Sequence, residues 1–219
     1  MKNRLRALRL LSGLLLFSGT FLVPGLLIAQ AIDPKKYARA AARNDAEFIA
    51  ENIKDNEDAV FLSQQALERS KDERVKELAQ LLVDDHISML YAMQQLETAG
   101  KGASAGKPVA PESNRPEAAS VNAKLTQVSG PVFDSVWVSS LLPLQQAKYD
   151  ELTQAKETVT NPQLRMAISE ALPKVRKHVS QLNSVQKYLA KMALQKRKEA
   201  EARRKEEAAR EKERTRNKR

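Results

Sequence analysis

SKDERVKELAQLLVDDHISMLYAMQQLETAG, residues 70–100, reads as one long amphipathic helix. Ser70 with Glu73 three residues on is a capping box, which satisfies orphan N–H groups where a helix begins. Gly100 suits the position just past a helix end, where a left-handed backbone is wanted. Between these ends Val75, Ala79, Leu82, His86, Met89, Met93 and Leu96 alternate spacings of four and three. That rhythm is the buried seam of a helix packed in a bundle. One seam residue, His86, is not apolar, and Asp84 and Asp85 precede it.

Working outward, the same rhythm recurs in three more segments. Upstream, about Asp45 to Glu68, the seam is Ala46, Ile49, Ile53, Asn56, Val60, Ser63 and Leu67, widened by Ala59, Leu62 and Ala66. A turn of a few residues joins this helix to the 70–100 helix, so the two form an antiparallel hairpin. Downstream, about Val132 to Val159, the seam is Val138, Leu141, Gln145, Lys148, Leu152, Ala155 and Val159, with Pro143 inside as an expected kink. Asn161-Pro162 then reads as an N-cap followed by proline in the first turn. It opens a last helix whose seam runs Leu164, Ile168, Ala171, Val175, His178, Leu182, Val185, Leu189 and Met192, with Pro173 a second expected kink.

Residues 100–131 are rich in glycine, proline, alanine and serine, a linker composition whose part after Ala118 is the better candidate for structure. The fold class expected is therefore all-α: a ferritin-like four-helix bundle spanning 44–190, with a long linker between its second and third helices.

The 219-residue chain carries a net charge of +10, but the charge sits at its ends. Residues 1–31 hold Lys2, Arg4, Arg6 and Arg9 and no acid. Residues 191–219 hold thirteen basic and six acidic groups, which leaves the body near −1. A body of that charge is not a nucleic-acid-binding domain. The positive start, the apolar run from Leu10 to about Val23, the Pro24-Gly25 break and Ala29-Gln30-Ala31 read as a cleavable signal over 1–31. Residues 32–43 form a short lead. The expected address is a bacterial periplasm, and an uncleaved inner-membrane anchor over residues 10–28 is the alternative. The chain has no cysteine, so there is no thiolate chemistry and no disulfide framework.

The turns also serve as rulers. Folding back at residues 70–71 sets Asn56 opposite His86, and folding back at 161 sets His178 opposite Leu144 or Gln145. Asn56, His86, Gln145 and His178 thus form a polar layer near mid-bundle. A buried polar layer fixes register when it is hydrogen-bonded. A di-iron centre of the ferritin type needs two Glu-x-x-His pairs and two further glutamates, whereas Val83 and Val175 stand three before the histidines. No metal and no cofactor are expected. If a metal binds, His86 and His178 are its candidate ligands, in a set suited to weak copper or zinc binding.

No nucleophile elbow, phosphate loop or zincin motif occurs, so no catalytic residue is expected. Beyond Leu194 the last helix has no large apolar residue, and Glu199–Arg203, Glu201–Lys205 and Glu206–Arg210 are pairs four apart in the favourable order. Such a tail reads as a solvated helix. Its Lys196, Arg197, Lys198, Arg203, Arg204 and Lys205 are the candidates for contact with anionic envelope material or a partner protein.

NDAEF at 44–48, KELAQLLVDDH at 76–86, FDSVW at 133–137 and LPKVRKH at 172–178 give the chain a further mark. Together they resemble the exported bacterial family known as domain of unknown function 4142, over about residues 44–190. The resemblance implies a ferritin-like fold and export, with no defined activity. It also implies a second Asp-His pair in the third helix and a glutamate in the first. Here those positions read Leu144-Gln145 and Ala59, so the polar centre that the family suggests is half present.

Overall fold

The computed structural model describes residues 45–101 and 115–217. The signal and lead over 1–43, and most of the first part of the linker, lie outside them. The described residues form five helices: α1 (Asp45–Arg69), α2 (Glu73–Lys101), α3 (Pro116–Thr126), α4 (Gly130–Thr158) and α5 (Pro162–Asn217). The fold is all-α. α1 packs on α2 and α4 on α5 as two antiparallel hairpins, and α2 lies along α5. This packing is compatible with the four-helix bundle expected. No described helix is long and apolar enough to cross a membrane.

The ends of the elements differ from the sequence reading in instructive ways. α2 begins at Glu73, not at a Ser70 box. Asp72 is the cap: its Oδ1 accepts from the N–H of Arg74 at 3.0 Å and of Val75 at 3.3 Å, while Ser70 Oγ accepts from Asp72 N–H at 3.1 Å. A carboxylate at the N-cap also favours the positive end of the helix dipole, which a serine does not. At its other end α2 runs on through Gly100 to Lys101. The Asn161 cap is present, with Oδ1 accepting from Gln163 N–H at 2.8 Å and Leu164 N–H at 3.2 Å. From the far end of the chain, the Asp45 carboxylate accepts from Thr160 and Asn161, so the start of α1 ties down the α4–α5 turn. These bonds hold its carboxyl below the usual aspartate range against the opposing effect of burial.

The linker contributes an element that the seam pattern does not show. α3 buries Ala118, Val121 and Leu125 against the bundle. Arg69 holds the end of α3 by donating to the carbonyls of Leu125 and Val128 at 2.8 and 2.7 Å, with its guanidinium stacked 4.3 Å from the centre of the Phe133 ring.

The apolar core has two compartments. One gathers Leu62, Leu82, Leu125, Trp137, Leu141 and Leu182 around the α1–α2 turn and α3. The other gathers Phe48, Met93, Leu152, Leu164, Ile168 and Val175 toward the α4–α5 turn. In α1 Ile49, Asn56, Val60 and Ser63 of the expected seam are buried, but at its start Phe48 and Asn52 are buried as well while Ala46 is exposed. Phe48 offers the larger apolar area, and the larger side chain wins the interior.

Candidate functional site

Between the two compartments, each long helix sends one polar side chain inward. Asn56 from α1, His86 from α2, Gln145 from α4 and His178 from α5 are all buried, with exposures of 3, 2, 4 and 0 %. They share one level because their distances from the two turns match, 14 to 17 residues by the numbering. They form one continuous hydrogen-bonded chain. Asn56 Oδ1 lies 2.8 Å from His86 Nδ1, and His86 Nε2 lies 2.9 Å from Gln145 Nε2. Gln145 Oε1 is 3.3 Å from His178 Nδ1, and His178 Nε2 is 2.9 Å from Asp85 Oδ2. The two imidazole centres are 5.2 Å apart and tilted by 38°.

Partners fix the direction of each bond. Asn56 Nδ2 donates to the Asn52 carbonyl at 2.7 Å, so its Oδ1 is the atom that faces His86. His86 therefore donates from Nδ1 and, when neutral, accepts at Nε2 from the Gln145 amide. That turns Gln145 Oε1 toward His178. A neutral His178 has one N–H for two acceptors, Gln145 Oε1 and the Asp85 carboxylate. The Asp85 contact is shorter and charge-assisted, so it takes the proton. The Gln145–His178 contact, the longest of the four, is then the place where a second proton on His178 would sit.

Electrostatics act against that second proton. Burial pushes His86 well below the ordinary imidazole value, and His178 and Lys148 add to the push. His178 is lowered less: burial lowers it, while the hydrogen bond and charge of Asp85 pull it back up. Asp85 was read in the sequence only as a neighbour of His86. Its position one residue before a seam residue on α2 is what lets it reach across to α5. Lys174, one turn before His178, lies 3.7 Å from Asp85 Oδ1 and donates to Ser88 Oγ at 3.0 Å.

A second group adjoins the layer on the α4 side. Lys148, a seam position of α4, is buried and donates to Asp55 at 2.5 Å and Glu151 at 3.1 Å. Arg115, at the start of α3, also pairs with Asp55 and lies 3.6 Å from Glu51. A pocket of about 60 Å³ opens here, bounded by Arg115, Lys148, Leu62, Leu141, His86 and Gln145. It has room for a few waters. The seam spacing identifies Lys148 but not its partners, because Asp55 and Arg115 meet it only through the fold. The tail residues Lys196, Arg197, Lys198, Arg203, Arg204 and Lys205 are all exposed, remote from this layer in sequence and joined to it only through α5.

With both rings neutral, His86 Nδ1, His86 Nε2 and His178 Nε2 are hydrogen-bonded, and His178 Nδ1 faces the Gln145 amide oxygen at 3.3 Å. Among the described residues no three His, Cys, Asp or Glu side chains converge as a ligand set.

No curated protein matches the chain. Among solved structures, "CopM in the Cu(II)-bound form" is similar, with a TM-score of 0.56 and 14% identity over 67% of this chain and 97% of that one. At that identity the likeness speaks for the fold alone. The family comparison reaches further: residues 31–185 match the model described as "Domain of unknown function (DUF4142)", and the chain belongs to that family.

Proposed function

We propose that this is a non-catalytic, exported helical-bundle protein of the bacterial envelope, whose tail meets anionic partners by charge. The observation that carries the reading is the course of α5. Its last buried residue is Leu189, yet the helix continues to Asn217 with its side chains in solvent. A helix that runs on for about 42 Å past its last buried residue has no part, over that length, in holding the core. The polar layer is consistent with the non-catalytic half of the reading, since its side chains are engaged with one another. The residues proposed to make the contact are Lys196, Arg197, Lys198, Arg203, Arg204 and Lys205. Each basic group near an anionic surface contributes roughly 1 kcal/mol, cut by screening at physiological salt. Co-sedimentation with anionic vesicles at low and high salt tests it. Binding by the full chain at low salt, lost at high salt and lost on deleting residues 196–219, is expected. Equal binding by both forms would remove the tail from the function.

A second reading, a metal-binding bundle centred on His86 and His178, is favoured by the likeness to a protein described as copper-bound. It requires Gln145 to swing away from the two rings and free their nitrogens. Titration with Cu(II), followed by elemental analysis, decides it. About one metal per chain, lost in the His86→Ala, His178→Ala double variant, would replace the first reading with this one.

A further inference from the structure

The tail of α5 has two electrostatically different faces. The buried seam of α5 runs Leu182, Val185, Leu189, with Met192 half-buried. Continued at the same spacing, it becomes Lys196, Glu199, Arg203, Glu206, Arg210 and Glu213. The sign alternates at every step. With about 100° of rotation per residue, Glu207 and Arg214 flank this stripe, so the face holds four basic and four acidic groups. The excess charge of the tail lies on the opposite face, on Arg197, Lys198, Arg204, Lys205, Lys212 and Arg216 against Glu201 and Glu211. All of these side chains are exposed.

A stripe alternating in this way is complementary to itself in one orientation. Two parallel copies in register set like charges against each other. Antiparallel copies centred between Arg204 and Lys205 set Lys196 against Glu213, Glu199 against Arg210 and Arg203 against Glu206, and each pair occurs twice about the two-fold axis. Ala202 and Ala209 border the stripe and let the backbones approach. We infer that the tails of two copies of this chain pair antiparallel through this balanced face, leaving the basic face turned outward. Within one helix Glu199 and Glu206 also have Arg203 and Arg210 four places on, and Lys205 with Glu201 at 2.7 Å shows that geometry on the other face. Intrahelical pairing of this kind competes with pairing between copies, and exposed ion pairs are individually weak. The association is accordingly weak and salt-sensitive. This inference goes beyond the anionic-partner reading and stands or falls separately from it.

The chain has no cysteine, so single spin labels can be placed cleanly in the full-length protein. A label at Arg204→Cys lies beside the proposed axis, and one at Arg216→Cys lies far from it. Double electron–electron resonance at low salt should give a short distance for the first and about 35 Å for the second. Short distances at both sites would mean parallel pairing and overturn the inference. So would the absence of any distance between copies at millimolar protein. Raising the salt tenfold should reduce the paired fraction severalfold, as screening shortens the reach of each charge. The triple variant Glu199→Lys, Glu206→Lys, Glu213→Lys should lose the pairing while binding anionic vesicles more strongly. Mixing it with Lys196→Glu, Arg203→Glu, Arg210→Glu should restore pairing between the two variants. If the triple lysine variant still pairs as the parent does, the balanced face is not the interface.

Discussion

His178 holds the residue-scale tension of this molecule, because its two nitrogens face two acceptors and its burial disfavours a second proton. Both histidines titrate below the ordinary imidazole value near 6.5 in the folded state. The unfolded chain therefore takes up protons first as the pH falls. Stability from this layer is fully present above pH 6.5 and declines below it, until the folded-state histidines themselves titrate. Denaturation midpoints between pH 5 and 8 should show that fall. In His178→Asn the pH dependence should shrink, even though the variant is less stable at neutral pH. Gln145→Leu leaves the buried Nε2 of His86 without its donor and should cost about 1–3 kcal/mol. A neutral outcome would mean that water replaces the amide. The four members of the layer were legible in the sequence, since polar residues on an apolar seam stand out and the turns give their heights. Asp85 and the Lys148–Asp55–Arg115 group were not. Their partners come from neighbouring helices, and nothing in the spacing within one helix specifies a rotation between helices.

At the scale of elements, the helices are set by their seams and their ends by single side chains. Leu82 and Leu182 are fully buried in the compartment that contains Trp137. Replacing either with alanine should cost about 2–5 kcal/mol, read as a shift in the denaturation midpoint. Asp72→Ala should cost about 0.5–2 kcal/mol through the lost cap of α2. Ser70→Ala should act instead through the Asp134 carboxyl, whose burial raises it above the usual range while the Ser70 hydroxyl lowers it. The four long helices were readable because a seam repeated over many turns is a strong signal. α3 was legible only as the part of the linker after Ala118 better suited to structure, because three small or medium apolar residues in an 11-residue helix, beside a glycine- and proline-rich stretch, carry too little pattern to specify a helix. Its existence depends on the surface it covers.

For the whole molecule, the polar layer divides the interior and the tail lies outside it. Deleting residues 196–219 should leave the melting temperature unchanged within about 1 °C, since none of the described side chains there is buried and surface changes rarely exceed about 0.5 kcal/mol. A clear drop would reveal a contact between tail and bundle. The chain has one tryptophan, and it stands wholly in one of the two apolar compartments, with Trp137 Nε1 donating to the Leu62 carbonyl at 2.8 Å. Its emission is thus a local optical gauge. It watches the half of the interior near the α1–α2 turn and is blind to the half near the α4–α5 turn, whereas far-ultraviolet ellipticity weighs both. If the hydrogen-bonded layer couples the halves, the two signals will trace one curve in denaturant. If the layer acts as a seam along which the protein can part, fluorescence and ellipticity will separate, and the interval between their midpoints will measure how far one half survives the other.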